Sequence, residues 1–337
     1  MRTPGPVYLG WKTAFALTFA LAAAGAVGSS ALAGKPVPPP PPPAPADPAI
    51  AYCDSHKAGG STYGDLMVMN ADGSNKRRVL SVGGASIFSP EWSPDGQTLV
   101  FWDGALKSLC TIRLDGTLLT PIVATADTYG GLAQPSWSPG SVPGVVGKSV
   151  PRIAYADDVP PVGGTSVTEL FVVNSDGSDS TQLTSTPDVG EESPTWSPSG
   201  TRLAFAMYTN AAATNHRTVG IYDFTSNSFS FVTPGGALAG AEIWNTDWSK
   251  TNESKIAVSG TTAAGVSGVW ILDLANLTQP VMVAINNATQ PSWSRDDARI
   301  VYRGFNGIEV VNAVGGVDAG LATLSPTGSR PASRRNP

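Results

Sequence analysis

The stretch PEWSPDG, residues 90–96, returns in modified form four more times along the chain. Each copy places a serine directly after a tryptophan, and the successive tryptophans lie 45, 59, 52 and 45 residues apart. A motif that recurs at such intervals is typical of proteins built from repeated supersecondary units that pack side by side. The sequence therefore predicts a repeat protein. The other copies are PSWSPGS (135–141), PTWSPSG (194–200), NTDWSK (245–250) and PSWSRDD (291–297).

Two short segments rich in aromatic and β-branched residues follow each copy of the motif. After the first copy they are TLVFW (98–102) and LCTIRL (109–114), with turn-forming residues on either side. This composition and length favour strands over helices. Asp-Gly pairs at 72–73, 115–116 and 176–177 predict tight hairpin turns that lead into one further strand. Four antiparallel strands per repeat make the blade of a β-propeller.

The repeat count predicts an all-β fold, a six-bladed β-propeller of four-stranded antiparallel blades. Residues 50–53 and 65–80 form a first blade that lacks a Trp-Ser strand of its own. Near the other end, LATLSPTG (321–328) has Leu324 in the place of the tryptophan and is predicted to supply that strand. A C-terminal strand that completes the first blade closes the ring and removes its exposed sheet edges.

The repeats also resemble those of a known family. The order Pro-x-Trp-Ser-Pro-Asp-Gly, then an apolar strand, then a segment such as LMVMNADGSNKRRVL (66–80), is similar to the propeller repeats of TolB-type proteins. The resemblance covers about residues 50–328 and implies a propeller fold with a binding function, without implying an activity. TolB carries a separate α/β domain before its propeller. Here a signal-like segment and a proline run occupy that place, so we expect a TolB-like propeller without that domain.

Composition divides the chain into four parts. Residues 1–33 have a cationic start, an apolar run and a small-residue exit, which is the layout of a secretory signal peptide. An uncleaved membrane anchor is the alternative. Residues 34–48 contain a proline run and predict a polyproline II spacer, with a ligand for a proline-binding domain as the alternative. The propeller is expected over residues 49–328. Residues 329–337 are predicted to be a disordered, solvated tail.

The predicted signal peptide indicates a periplasmic or secreted protein, with no stable membrane insertion after cleavage. The chain has 21 Lys and Arg against 26 Asp and Glu, a net charge of −5, and this acidic balance argues against a nucleic-acid partner. We expect a monomer. Cys53 and Cys110 are the only cysteines. Export permits a disulfide, but the sequence leaves a bridge and two buried thiols equally open.

The sequence offers little for catalysis. The two histidines, His56 and His216, are predicted in loops of separate blades, whereas a metal site needs several ligands that converge on one point. No H-E-x-x-H, C-x-x-C or G-x-S-x-G motif occurs. The Asp-Gly turns resemble fragments of calcium loops but lack the ligand count of an EF-hand, so hairpin turns are preferred. We therefore predict a non-catalytic protein with no metal and no cofactor.

Partner-binding residues are expected on one end of the propeller. The loop between the second and third strands of a blade and the crossover to the next blade lie at the same end, and both are long in this sequence; CDSHKAGGSTYGD (53–65) is one such loop. The repeat tryptophans are predicted to pack between blades, because large aromatics at equivalent positions are usually packing residues.

Six residues are candidates for contact with a partner. Two of them are acidic, directly precede a repeat tryptophan, and predict a small, polar and locally acidic channel. The other four are placed in crossover loops, where aromatic anchors dominate binding energy and rim carboxylates tune the association rate. The first two are Glu91 and Asp247, and the other four are Tyr129, Glu191, Glu192 and Trp244.

The sequence thus predicts an exported, non-catalytic propeller that binds a protein or peptide partner through its loop face and channel mouth. The partner is expected to be a basic or neutral extended segment. One alternative is a carbohydrate-active or lyase-type propeller enzyme, which usually has clustered His, Arg and Tyr at the channel. The other is a scaffold that assembles with envelope components.

Overall fold

The computed structural model describes residues 49–84, 87–125, 134–140, 151–159, 167–186, 189–209 and 217–334. Within these ranges the regular elements are 24 strands and one short 3₁₀ helix, Gly236–Leu238. The strands form six sheets of four, and neighbouring strands are antiparallel. The prediction of an all-β, six-bladed propeller is confirmed. None of the helical structure within the described ranges is long and apolar enough to cross a bilayer.

Blades 2 to 6 each consist of four strands that are consecutive in the chain. In every one of these blades the first strand lines the central channel and the fourth lies at the periphery. Blade 2 contains Ile87–Trp92 (β4), Thr98–Asp103 (β5), Ser108–Arg113 (β6) and Thr120–Ala124 (β7); blade 3 Ser136–Trp137 (β8), Arg152–Val159 (β9), Val167–Asn174 (β10) and Thr181–Gln182 (β11); blade 4 Val189–Trp196 (β12), Arg202–Thr209 (β13), Arg217–Asp223 (β14) and Ser228–Val232 (β15); blade 5 Glu242–Trp248 (β16), Lys255–Thr261 (β17), Ser267–Asp273 (β18) and Asn276–Ile285 (β19); and blade 6 Thr289–Trp293 (β20), Arg299–Gly304 (β21), Gly307–Asn312 (β22) and Ala322–Ser325 (β23).

Blade 1 joins the two ends of the described chain. Its three outer strands are Ile50–Ala58 (β1), Ser61–Met69 (β2) and Arg77–Gly83 (β3), and its innermost strand is Ser329–Ser333 (β24). The pairing of β24 with β1 is antiparallel and closes the ring from the C-terminal side. Ring closure by a C-terminal strand is therefore confirmed.

The segment that closes the ring differs from the one predicted. Ala322–Ser325 pairs with β22 and is the outermost strand of blade 6, so Leu324 does not take the place of a channel-lining tryptophan. Residues 329–333, predicted to belong to a disordered tail, form the closing strand instead. The physical reason lies in Arg330-Pro331-Ala332, which occupies the same channel-lining positions as the residues before the repeat tryptophans, while Ser333 stands where the tryptophan would be.

The region 53–65, predicted as a long loop, is a hairpin. β1 and β2 pair without interruption from Ile50 with Met69 to Ala58 with Ser61, and the turn is Gly59-Gly60 with φ values of 57° and 83°. His56 consequently lies on a strand, with Nδ1 2.6 Å from Oδ2 of Asp65. The other histidine, His216, lies outside the described residues.

The hydrophobic core lies between the blades. Each of six clusters of buried apolar side chains joins two neighbouring blades around the ring. The repeat tryptophans belong to five of these clusters and are at most 4% exposed. The indole Nε1 of Trp92 donates to the carbonyl of Ala332 at 3.1 Å, and that of Trp196 to the carbonyl of Ser136 at 3.0 Å, in each case across to the preceding inner strand. The prediction that they pack between blades is confirmed.

The two cysteines are free thiols buried in the cluster between blades 1 and 2. Burial raises the pKa of both Cys53 and Cys110 to about 12. Because the thiolate is the reactive form, both side chains act as packing groups at neutral pH.

The Asp-Gly pairs form hairpin turns, as predicted. Gly73, Gly116 and Gly177 have φ values of 81°, 82° and 84°, which a side chain would strain. In the first turn Oδ1 of Asp72 accepts the backbone N–H of Ser74 at 2.9 Å, and the hydrogen bonds from Ser74 lower the pKa of Asp72. Within the described ranges no group of three His, Cys, Asp or Glu side chains is arranged to hold a metal ion.

Candidate binding site at the channel mouth

The six innermost strands surround a narrow central channel with a cavity volume of about 90 Å³. Each strand contributes three consecutive residues that precede the tryptophan position. The first of the three lies nearest the crossovers, on the end that we call the loop face, because the chain enters each inner strand from there. We call these six polar side chains the channel-mouth ring. Its members are Ser89, Gln134, Ser193, Asn245, Gln290 and Arg330.

A backbone bulge positions most of the ring. Ser89, Ser193, Gln290 and Arg330 have φ values of 51°, 53°, 54° and 53°, in the left-handed region that non-glycine residues seldom adopt. The pairing register of the inner strand with its neighbour shifts at each of these positions. A bulge ends regular pairing and re-aims a side chain. Its recurrence in four blades makes the ring a built feature of the fold, and such strain is commonly found at binding sites.

Hydrogen bonds connect ring members into two arcs. In the first arc, the hydroxyl of Ser193 donates a hydrogen bond to Oε1 of Gln134. The same hydroxyl accepts a hydrogen bond from Nδ2 of Asn245 at 3.1 Å. In the second, Arg330 donates its backbone N–H to Oε1 of Gln290 at 3.0 Å and its Nη1 to Oγ of Ser89 at 2.8 Å. The ring is therefore preorganised before any partner arrives, which lowers the entropic cost of binding.

Arg330 supplies the one cationic side chain of the ring. Its guanidinium carbon lies 4.3 Å from the centroid of the Phe88 ring, within the range of a cation–π contact. The sequence predicts this residue in a solvated tail, and that prediction is wrong because Arg330 belongs to β24 and lines the channel. Arg330-Pro331 matches the polar residue and proline of four of the other five inner strands, β16 having Thr246 instead, and an alignment on proline rather than tryptophan would have found it.

Glu91 and Asp247 line the channel in the layer below the ring, as their position before a tryptophan predicts. Asp247 is 9% exposed, accepts Nζ of Lys250 at 3.0 Å with both oxygens, and accepts the backbone N–H of Trp293 at 2.7 Å. The buried Lys250 thus offsets the charge of Asp247. The hydrogen bond from Trp293 to Asp247 joins blades 5 and 6. The charged side chains that line the channel are Glu91, Asp247 and Arg330.

The four residues predicted in crossover loops have different placements. Glu191 lies on β12, is fully buried and accepts the hydroxyls of Thr184, at 3.2 Å, and Thr186. It therefore cannot be a rim carboxylate. Burial raises its pKa to about 8, helped by the neighbouring carboxyl of Glu169.

Glu192 also lies on β12, half-buried, with an oxygen 3.5 Å from Nη1 of Arg217. Burial raises its pKa, while Arg217 opposes that shift. Trp244 lies on β16, is partly exposed, and its carbonyl accepts the hydroxyl of Ser193 at 3.3 Å. The loop placement is wrong for these residues, and Tyr129 lies outside the described residues. The structure thus brings Glu91 and Asp247 to the channel wall below the ring, and it brings the carbonyl of Trp244 to the ring at Ser193.

Comparison with known proteins agrees with this architecture. No family model matches the chain. Over 134 residues, 39% of this chain, the sequence is 31% identical to the Tol-Pal system protein TolB of Anaeromyxobacter dehalogenans (strain 2CP-C), and the match spans 26% of that protein's length.

Solved structures of TolB share the fold at low sequence identity. TolB from Acinetobacter baumannii aligns with a TM-score of 0.64 at 19% identity, over 86% of this chain and 67% of that one. A putative TolB from Agrobacterium tumefaciens aligns with a TM-score of 0.58 at 14% identity, over 79% of this chain and 89% of that one. By its blade architecture and this partial sequence similarity, the chain is a TolB-like six-bladed β-propeller.

Proposed function

We propose that the chain is an exported, non-catalytic protein that binds an extended segment of a protein partner at the channel-mouth ring and the surrounding loop face. The observation that carries this proposal is the ring itself. Six polar side chains, four of them held in left-handed backbone conformations, present donors and acceptors around one opening. An extended peptide offers the matching backbone N–H and C=O groups.

The charges around the opening favour a partner segment that is uncharged where it crosses the ring. Arg330 and Lys250 oppose Glu91 and Asp247, so neither sign dominates. Trp244 is partly exposed, its carbonyl accepts the hydroxyl of Ser193, and tryptophan is a residue type that often anchors protein interfaces. The relatives are Tol-Pal system proteins by name, and a protein-binding role of that kind fits these features.

Capture of partners from envelope extract, followed by mass spectrometry, tests this function. We expect Arg330→Ala and Gln290→Ala to reduce recovery of the captured protein about tenfold, because each removes a donor or acceptor from the ring and one link in an arc. Leu118→Ala is the control, since Leu118 is 67% exposed on a turn at the opposite end of blade 2. Equal recovery by the ring variants and the control would refute the proposal.

Export is part of the proposal and rests on the layout of residues 1–33. We expect the mature chain to begin at Gly34, after the exit Ala31-Leu32-Ala33. Intact-mass measurement of the protein from the periplasm or culture medium checks this, and a retained segment 1–33 would contradict it.

A further inference from the structure

We propose that a groove between blades 5 and 6 is a second docking site on the loop face, which takes a lysine or arginine side chain of an extended peptide next to an apolar residue. The proposal rests on the proposed function, since it names the chemistry of a second contact with the same class of partner. It uses residues outside the channel-mouth ring.

The groove has a volume of about 630 Å³ and is formed by four connections. The turn between β17 and β18 contributes Val266, the crossover from β19 to β20 contributes Asn286, and the turn between β21 and β22 contributes Phe305. These three lie at the loop-face end of their blades, because each joins a second strand to a third or one blade to the next. The fourth, between β22 and β23, contributes Asp318 and Leu321 and packs against the end of β19, where the backbone N–H of Asp318 donates to the carbonyl of Val283 at 2.8 Å.

Three exposed apolar side chains form its rim. Phe305 is 84% exposed, Leu321 48% and Val266 37%. Gly304 and Gly307 are paired, so Phe305 is one of the two residues of a tight hairpin turn, where small and polar residues are the usual choice. Backbone geometry therefore does not call for an aromatic residue here. Exposed apolar groups that share one groove are typical of an interaction site.

Two carboxylates lie deeper in the groove. Glu309 is 5% exposed, and its Oε1 accepts the backbone N–H of Asn306 at 3.2 Å and the side-chain Nδ2 of the same residue at 2.9 Å. Asp318 accepts the backbone N–H of Ile285 at 3.4 Å. Both carboxyl groups lie near Tyr302. Burial is the main cause that raises the pKa of Tyr302, and Glu309 and Asp318 raise it further.

These carboxylates have no cationic partner within the described part of the chain. The described side chains that line the groove include no Lys, Arg or His, and the ion pairs among described residues involve neither carboxylate. Two carboxyl groups that share one groove without a counter-ion favour the approach of a cation. Charge complementarity therefore selects a basic group as the occupant.

The apolar rim decides which cation fits. The aromatic face of Phe305 attracts a guanidinium or ammonium group. The aliphatic stem of a lysine or arginine can pack on Val266 and Leu321 while its charged head reaches Glu309 and Asp318. An apolar residue beside the basic one in the peptide would cover the remaining exposed surface of Phe305.

Selection from a random linear heptapeptide library displayed on phage, with the immobilised full chain as target, tests the proposal. We expect selected peptides to be enriched in Lys or Arg next to an apolar residue. Fluorescence anisotropy with a labelled selected peptide should then show affinity weakened about tenfold by Phe305→Ala and by the double variant Glu309→Gln with Asp318→Asn. The amides of the double variant keep the oxygens that accept from Asn306 and Ile285, so its melting temperature should equal that of the parent.

Matched controls separate this site from other exposed groups. Phe231→Ala, at an aromatic residue that is 60% exposed on β15, and Glu242→Gln, at an exposed carboxylate on β16, should leave the affinity unchanged. Peptides that lack basic residues, or that bind both groove variants as well as the parent and lose affinity only with Arg330→Ala, would overturn the groove site and leave the channel-mouth function standing. A selection that enriches no peptide would contradict both proposals.

Discussion

Glu191 is a carboxyl group without solvent contact, in the strand of blade 4 that lines the channel. Its oxygens accept the hydroxyls of Thr184 and Thr186, and the carboxyl of Glu169, itself 3% exposed, lies beside it. Burial first, and the neighbouring carboxyl next, raise the pKa of Glu191 to about 8 from an ordinary value of 4.5. Glu191 therefore keeps its proton at neutral pH.

This raised pKa makes stability depend on pH. Between pH 4.5 and about 8 the unfolded chain loses the Glu191 proton while the folded chain keeps it. The protonated group thus contributes fully to the free energy of unfolding below pH 4.5. This contribution is lost as pH rises to about 8, and the free energy of unfolding falls by up to about 1.4 kcal/mol per pH unit. Urea unfolding of Glu191→Gln should match the parent near pH 4 and show the higher free energy of unfolding near pH 8.

The control for this prediction is Glu242→Gln, because Glu242 is an exposed carboxyl on β16. Its pH profile of unfolding should run parallel to that of the parent. A Glu191→Gln profile that also runs parallel would mean that Glu191 is ionised in the folded protein at neutral pH.

Trp196 is the clearest case of a tryptophan that packs between two blades and stabilises their interface. Its side chain is fully buried, stacks on Phe224 with ring centroids 5.0 Å apart, and donates to the carbonyl of Ser136. Trp196→Ala should lower the free energy of unfolding by about 3 to 5 kcal/mol, because it leaves a cavity between blades 3 and 4. Phe231→Ala, at an exposed aromatic residue, should change it by less than about 0.5 kcal/mol. An unchanged urea midpoint for Trp196→Ala would contradict the packing role.

Among the strands, we expect the closing strand β24 to have the largest effect on the stability of the ring. It supplies the inner edge of blade 1 and the carbonyl of Ala332 that accepts the indole N–H of Trp92. A chain that ends at Gly328 should unfold at lower urea concentration and associate more readily, because β1 becomes an exposed edge. A chain that ends at Arg334 keeps β24 and should behave as the parent. Equal midpoints for the two truncations would show that β24 does not close the ring.

The Trp-Ser step predicts where the first strand of each of blades 2 to 6 ends. In blades 1 to 3 an Asp-Gly turn also marks the hairpin between the third and fourth strands of the blade, counted from the channel. Both signals depend on local chemistry, namely a large aromatic between blades and a glycine with positive φ. Local chemistry can be recognised in a sequence.

Features that depend on packing between distant segments could not be predicted in the same way. β24 has Ser333 in the place of the tryptophan, so it lacks the residue that identifies the other inner strands. The polar composition of 53–65 suggests a loop, although its residues pair as a hairpin. Glu191 resembles a loop carboxylate in sequence, and only the packing of β12 in the ring shows that it is buried.

At the scale of the whole molecule, the six interfaces between blades are unequal. Five contain a repeat tryptophan, whereas the interface between blades 6 and 1 contains Leu324 and no such residue. In a ring where each blade contacts its neighbours, the interface with the least buried aromatic surface should open first. Native-state hydrogen exchange should therefore give lower opening free energies for amides of β24 than for those of β12. The reverse order would contradict this ranking.

Site-specific photocrosslinking tests whether partners bind at the channel mouth. A benzophenone amino acid in place of Trp244 directly precedes the ring residue Asn245 on β16 and replaces one partly exposed aromatic side chain with another, while the same amino acid in place of Leu118 lies at the opposite end of the propeller. After illumination in envelope extract, we expect a discrete protein adduct from position 244 and none from position 118. An adduct from position 118 alone, or equal adducts from both positions, would contradict binding at the channel mouth.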